Sequence, residues 1–316
     1  MNRIPLSLFF LMANASSLLK AQELTLNPTS LSHYQALQPL LNHYQRPITF
    51  LELWPETGQL SCHVAKNYNS VCVMIDAKCA QNLLSACQKC NNVVLLKQNL
   101  SINDIHSLGE CEHFDVTFVP DIANRFPTTW QKVINELMKL GDYLIIQAPA
   151  QGAPLCQAIT DYIQKKRGEP LSDVCTNEQG ILYVLNTPKK HIIKRRWNYE
   201  KTWELGEYTI ESTFAKKKFI KHKKKPAGYT VTPWHPGINL YTFKQLNGAY
   251  PTKDMIRRKI QQFATMKHND FRIFNLIIQG EKLVPIDCDE NERHASIKEM
   301  LPILLQQFRH LLFIES

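Results

Sequence analysis

The chain predicts an α/β fold: a doubly wound, mostly parallel sheet closed by an antiparallel hairpin, with a smaller α+β C-terminal domain after it. Two observations carry that expectation. From about residue 46 to 187, short continuous apolar runs alternate with helix-length stretches of 3.6-residue periodicity, and strands buried on both faces of a parallel sheet need that unbroken apolar character. Residues 50–61, FLELWPETGQLS, then read as the end of a buried strand, a tight turn and the start of a helix. That is where a nucleotide-binding α/β fold keeps a glycine-rich loop.

The expected strands are 48–53, 71–76, 92–98, 114–121 and 143–149, separated by helical stretches such as 83–90 and 130–140. This βαβα order implies parallel strands joined by right-handed crossovers. After a helix near 153–166, the segments 172–176 and 181–186 around Gln179-Gly180 read as an antiparallel pair.

At 316 residues with 44% apolar content, the chain is long enough for two domains, each with its own core. Nine cysteines are an odd number without a paired framework, so most read as small buried hydrophobes. Cys87 and Cys90 form a C-x-x-C, with Cys79 before it, but no second Cys/His pair follows at ligand spacing. No zinc site is assigned. At the N-terminus a basic start, an apolar stretch over 4–12 and Ala13-Asn14-Ala15 read as a secretory signal peptide. The alternative is an amphipathic first helix. The protein is expected to be exported if the signal is genuine and cytoplasmic otherwise, with no transmembrane helix in the mature chain.

A mostly parallel sheet ending in an antiparallel hairpin, with Leu51-Glu52-Leu53 before the first turn, resembles the class I S-adenosylmethionine-dependent methyltransferase family over residues 46–187. The resemblance implies S-adenosylmethionine as cofactor and places four positions around it: Glu52, Gly58, Asp76 and Asn99. Asp76 follows Val-Cys-Val-Met-Ile at a second strand end, where a carboxylate suits a ribose. The chain departs from the family at the turn, with Trp54 and Glu56 standing where the family has glycine. A side chain held at positive φ costs on the order of 1–2 kcal/mol, Pro55 removes an amide donor, and the indole is expected to crowd or close the pocket. Cofactor binding is therefore expected to be weakened or lost.

A second constellation lies at 268–289: HNDFRIFN, an apolar strand, a Gln279-Gly280 turn, a second strand, then Asp287-Cys288-Asp289. It resembles the catalytic loop and metal-binding segment of the protein-kinase-like superfamily, nearest the aminoglycoside and choline kinase branch. That resemblance implies Asp270 as acceptor of a substrate hydroxyl proton, with Asn275 and Asp287 holding Mg2+ against ATP. Upstream there is no glycine-rich loop, and Lys221 is the best candidate for the phosphate-binding lysine. Helices are expected over 254–263 and 297–313.

Between the two, residues 189–225 hold 13 Lys or Arg against four Glu, a local balance of +9 that equals the net charge of the whole chain. Such focused charge suits an anionic partner, whether nucleic acid, lipid head group or acidic glycan. Interleaved aromatics such as Trp197 and Trp203 are able to stack on bases or sugars, and the plainer reading is a solvated linker plus an exposed pair of strands, 208–214 with 218–222. The expected organisation is thus a signal over 1–21, a methyltransferase-like domain over 22–187, a basic segment over 188–225 and a kinase-like module over 226–316. Three readings follow: a methyltransferase-like protein of unknown acceptor, a Mg2+- and ATP-dependent phosphotransferase, or a non-catalytic binder of an anionic partner.

Overall fold

The computed structural model describes residues 26–78, 81–150, 152–171, 180–186, 193–195, 200–205, 208–212, 229–233, 235–263 and 275–286. The candidate signal, Lys216–Lys218, Lys221, the 297–313 helix and the D-x-D segment lie outside these residues.

The elements of the first half are α1 (Pro28–Leu41), β1 (Thr49–Leu53), α2 (Gln59–Asn67), β2 (Val71–Ile75), α3 (Gln81–Gln88), β3 (Val93–Leu96), α4 (Ile102–Cys111), β4 (Phe114–Val119), α5 (Ile122–Arg125), α6 (Trp130–Leu137), β5 (Gly141–Gln147) and α7 (Cys156–Lys165). Short strands β6 (Glu169–Pro170) and β7 (Leu182–Asn186) follow. Each of the five expected strands is present, the first four shortened by one to three residues and the fifth, expected over 143–149, starting two residues earlier at Gly141. β3, β2, β1, β4 and β5 pair in parallel in that order, and β7 runs antiparallel to β5 with β6 beyond it. On its other side β7 pairs with Glu169–Pro170; the expected 172–176 lies outside the described residues. Arg167 at φ +63 turns the chain out of α7, and pairing continues at once, with Leu171 N donating to Leu182 O at 2.9 Å.

Alternation along the strands divides the core into two layers, as a period of two requires. Leu51, Leu53, Val73, Ile75, Leu96 and Ile146 face one cluster, packed by α4, α6 and α7. Phe50, Met74, Leu95, Phe118 and Ile145 face the other, packed by α1, α2 and α3. Asn27 caps α1 by accepting from Ser30 N at 2.7 Å, Pro28 follows at the first turn, and Gln59 accepts from Asn27 N at 2.8 Å. That bond anchors the start of α1 to α2, above the carboxyl ends of the strands.

The described C-terminal residues pack on the same sheet. They form β12 (Ile238–Asn239), α8 (Leu240–Gln245), β13 (Gly248–Tyr250), α9 (Lys253–Gln262), β14 (Leu276–Gln279) and β15 (Lys282–Pro285). β13 pairs antiparallel with β3 and covers that sheet edge, which an exposed strand would otherwise leave open to pairing with other chains. Leu240, Phe243, Ile256, Ile260, Leu276 and Ile278 join the first core cluster. Between the two halves, β8 (Ile193–Arg195), β9 (Glu200–Leu205), β10 (Tyr208–Ser212) and β11 (Tyr229–Pro233) form an antiparallel meander. Both edges of β10 are therefore taken, by β9 and β11, which corrects the expected pairing of 208–214 with 218–222. Among the described residues, no helix is long and apolar enough to cross a membrane.

Candidate functional site

The turn after β1 is where local backbone chemistry shapes the site. Trp54 takes φ +54, a left-handed value, and its N–H donates to Ile75 O at 2.8 Å, locking the turn onto the end of β2. Pro55 offers no N–H. Gly58, at φ +70, caps α2, and a Cβ there would meet Met74 Sδ at 3.0 Å and Leu83 Cδ2 at 3.1 Å. The chain keeps glycine at the one position of this turn where backbone and packing both demand it.

Above the turn lies a cavity of about 460 Å³ bounded by β1, β2, β4 and the start of α1, within the ~300–1,000 Å³ range of small-molecule sites. It sits where β2 and β4 leave β1 on opposite sides, at the switch point of the sheet. Trp54 is one wall of this cavity and does not plug it. The ring is turned toward Phe126, with centroids 5.6 Å apart, and the Arg125 guanidinium carbon lies 5.6 Å from its centroid. The expectation of a pocket closed by the indole is thus corrected: the positive φ that the glycine would have supplied is adopted by the tryptophan, and aromatic packing holds the ring aside.

Glu52 and Asp76 both line the cavity and are buried. Glu52 accepts from Ser61 Oγ at 2.5 Å. Burial pushes its carboxyl up to about 7, against the opposing effect of the serine, so its charge is poised near neutrality. Asp76 accepts from Lys78 N at 2.7 Å through Oδ1. Gly58 shapes the turn from behind, and Asn99 is exposed in the loop after β3 and does not line the cavity. Of the four positions the resemblance supplied, two therefore present carboxylates, one is structural, and one stands outside.

Three lining residues were not legible in sequence. His33 of α1 is buried, edge-on to Phe118 at 5.1 Å. Burial holds it down at about 4, while the Gln147 hydrogen bond raises it, so the ring is neutral near pH 7. Gln147, at the end of β5, also lines an adjoining cavity of about 630 Å³ bordered by Pro120, Asp121, Asn124 and Leu155. Arg125 faces the first cavity beside Trp54. A lone histidine in an apolar helix and an arginine after a strand carry no motif; only the adjacency of α1, β4 and β5 brings them together.

Of the three site residues of the second constellation, Asn275 alone falls within the described residues; Asp270 and Asp287 lie outside. Asn275 is buried, and its carbonyl accepts from Ile286 N at 2.9 Å across the β14–β15 hairpin.

No family model and no curated protein matches the chain. Among solved structures, WbdD aligns over 92% of this chain and 86% of its own at 13% identity, with a TM-score of 0.37; one structure of it is described as that of a bifunctional kinase-methyltransferase. Magnesium protoporphyrin IX methyltransferase from Synechocystis PCC 6803, with bound SAM, aligns over 58% of this chain and 98% of its own at 12% identity and a TM-score of 0.35. The SAM-dependent methyltransferase from Agrobacterium tumefaciens aligns over 52% and 64%, at 13% and 0.37. Below 0.5 these scores give no residue correspondence. The sheet itself, in the order β3-β2-β1-β4-β5-β7-β6 with β7 alone of these seven strands reversed, is doubly wound, mostly parallel and methyltransferase-like.

Proposed function

We propose that the protein binds S-adenosylmethionine in the cavity at the β1–β2–β4 switch point and acts as a methyltransferase. The observation that carries the reading is the convergence of Glu52 and Asp76 on one cavity at adjacent strand ends. Asp76, fixed by Lys78 N, suits two vicinal ribose hydroxyls as donors. Glu52, with its carboxyl near neutrality, ionises readily beside a cationic ligand. When bound, the cofactor supplies an electrophilic methyl group on a sulfonium. The chain's own contribution is to hold that group in a pocket roofed by α1 and flanked by the second cavity, with Gln147 lining both and neutral His33 hydrogen-bonded to it on the first cavity's side. The adjoining cavity, walled by Pro120, Pro127, Ala150 and Leu155, suits a largely apolar acceptor. Calorimetric titration with S-adenosylmethionine tests the reading: micromolar binding that disappears in Asp76→Ala supports it, and no heat in the native chain overturns it.

A phosphotransferase reading is favoured by one observation. The Ile286–Asn275 hydrogen bond returns the chain beside Asn275 one residue before Asp287. Mg2+-dependent ATP binding lost in Asp287→Ala is its test.

A further inference from the structure

We infer that Arg125 is the anchor for the carboxylate of the amino-acid part of the cofactor, in place of the two backbone amides, at positions 54 and 55, that the altered turn no longer offers. The inference rests on the S-adenosylmethionine reading above and concerns the half of the ligand that Asp76 does not reach.

The turn is poorly equipped to receive an anion. Trp54 N–H is spent on Ile75 O at 2.8 Å, Pro55 has none, and Glu56 adds a carboxylate of its own to the cavity wall. An unpaired carboxylate brought into such a pocket is costly unless a cation or several donors meet it. Two full cations line the cavity, Lys78 and Arg125. Lys78 belongs to the ribose end, two residues after Asp76. Arg125 belongs to the other end: in the order β2-β1-β4, Asp76 directly follows β2 and Arg125 closes the short helix after β4, so the two reach the cavity from opposite sides of β1. That placement fits a ligand with a ribose at one end and an amino acid at the other.

The guanidinium is also prepared for the task. It lies over the Trp54 ring, 5.6 Å from the centroid, so the indole that displaces the family glycine positions the cation that compensates for it. Its nearest carboxylate, Asp121, is at 3.8 Å from Nε, beyond hydrogen-bond distance. A planar fork of N–H donors matches a carboxylate in bidentate fashion.

The test compares two ligands that share the adenosine and differ in the amino acid. The full chain, Arg125→Ala, Arg125→Lys and Asp76→Ala are titrated with S-adenosylhomocysteine and with 5′-methylthioadenosine. The expected result is that Arg125→Ala weakens S-adenosylhomocysteine about 10- to 100-fold and leaves 5′-methylthioadenosine unchanged, that Arg125→Lys recovers part of the loss, and that Asp76→Ala weakens both. Equal loss of both ligands in Arg125→Ala assigns the arginine a structural role and overturns the inference, as does no loss of either. A native chain that binds neither ligand overturns the cofactor reading itself, and this inference falls with it.

Discussion

Ser61 Oγ, in the first turn of α2, donates to Glu52 Oε2 at 2.5 Å, joining the end of β1 to the helix that follows the turn. The bond lessens but does not cancel the effect of burial, which raises the Glu52 carboxyl from its ordinary 4.5 to about 7. In the unfolded chain the same group ionises near 4.5. Between these values the folded state holds a proton that the unfolded state has released, so stability falls as pH rises from 4.5 to 7 and is constant on either side. Glu52→Gln keeps the shape and an acceptor for Ser61 and removes the titration. The variant should match the native protein in urea unfolding at pH 4 and exceed it at pH 8 by about 3 kcal/mol. Equal stabilities at both pH values would show that Glu52 titrates normally.

Trp54→Gly sets two effects against each other. Glycine relieves the positive φ, worth on the order of 1–2 kcal/mol, while removing a buried indole packed on Phe126 costs about 3–5 kcal/mol. Glycine also loses more freedom on folding. The net expectation is a loss of about 2 kcal/mol, read by urea unfolding. A stabilised variant would mean that backbone strain outweighs the packing.

The central sheet was legible because strands buried on both faces are continuously apolar, and 71–75 and 93–96 have few other options. What was not legible depends on contacts between distant segments. β13 is three residues, Gly248–Tyr250, too short to leave a pattern, and its strand character comes from the open edge of β3. The four-stranded meander in the basic segment is likewise invisible to composition, because charge density reports a surface and not a pairing. At the site, Glu52 and Asp76 could be placed because strand ends fix them. Arg125, His33 and Gln147 could not, since three separate elements must meet before any of them faces a ligand.

Arg46 and Asp115 form a buried ion pair at 2.7 Å, with the Asp115 side chain fully buried and the arginine at 19% exposure. Asp115 also accepts from Thr49 N at 2.7 Å through Oδ2. Arg46→Met leaves a buried carboxylate with its cation gone, and should cost about 3 kcal/mol. In Arg46→Met/Asp115→Asn the buried charge is gone as well, and an acceptor for Thr49 remains, so the double variant should be more stable than Arg46→Met alone. Simple additivity in that cycle would show that the pair is not coupled.

Glu112 ends α4 and is buried, accepting from Asn239 N at 3.0 Å and from Thr242 Oγ1. Asn239 is in turn the cap of α8, accepting from Tyr241 N at 2.8 Å, so one carboxylate holds the start of the C-terminal helix against the sheet, where negative charge is favoured. Glu112→Ala should remove about 2–3 kcal/mol, because both donors lose a charged acceptor in a buried setting. Hydrogen exchange decides how that loss is distributed. If the C-terminal residues form a separate cooperative unit, amides over 239–246 should exchange faster while those of β1 and β2 keep their protection. If protection falls equally in β1 and in α8, then 238–263 and the parallel sheet unfold together, as their shared hydrophobic cluster would allow.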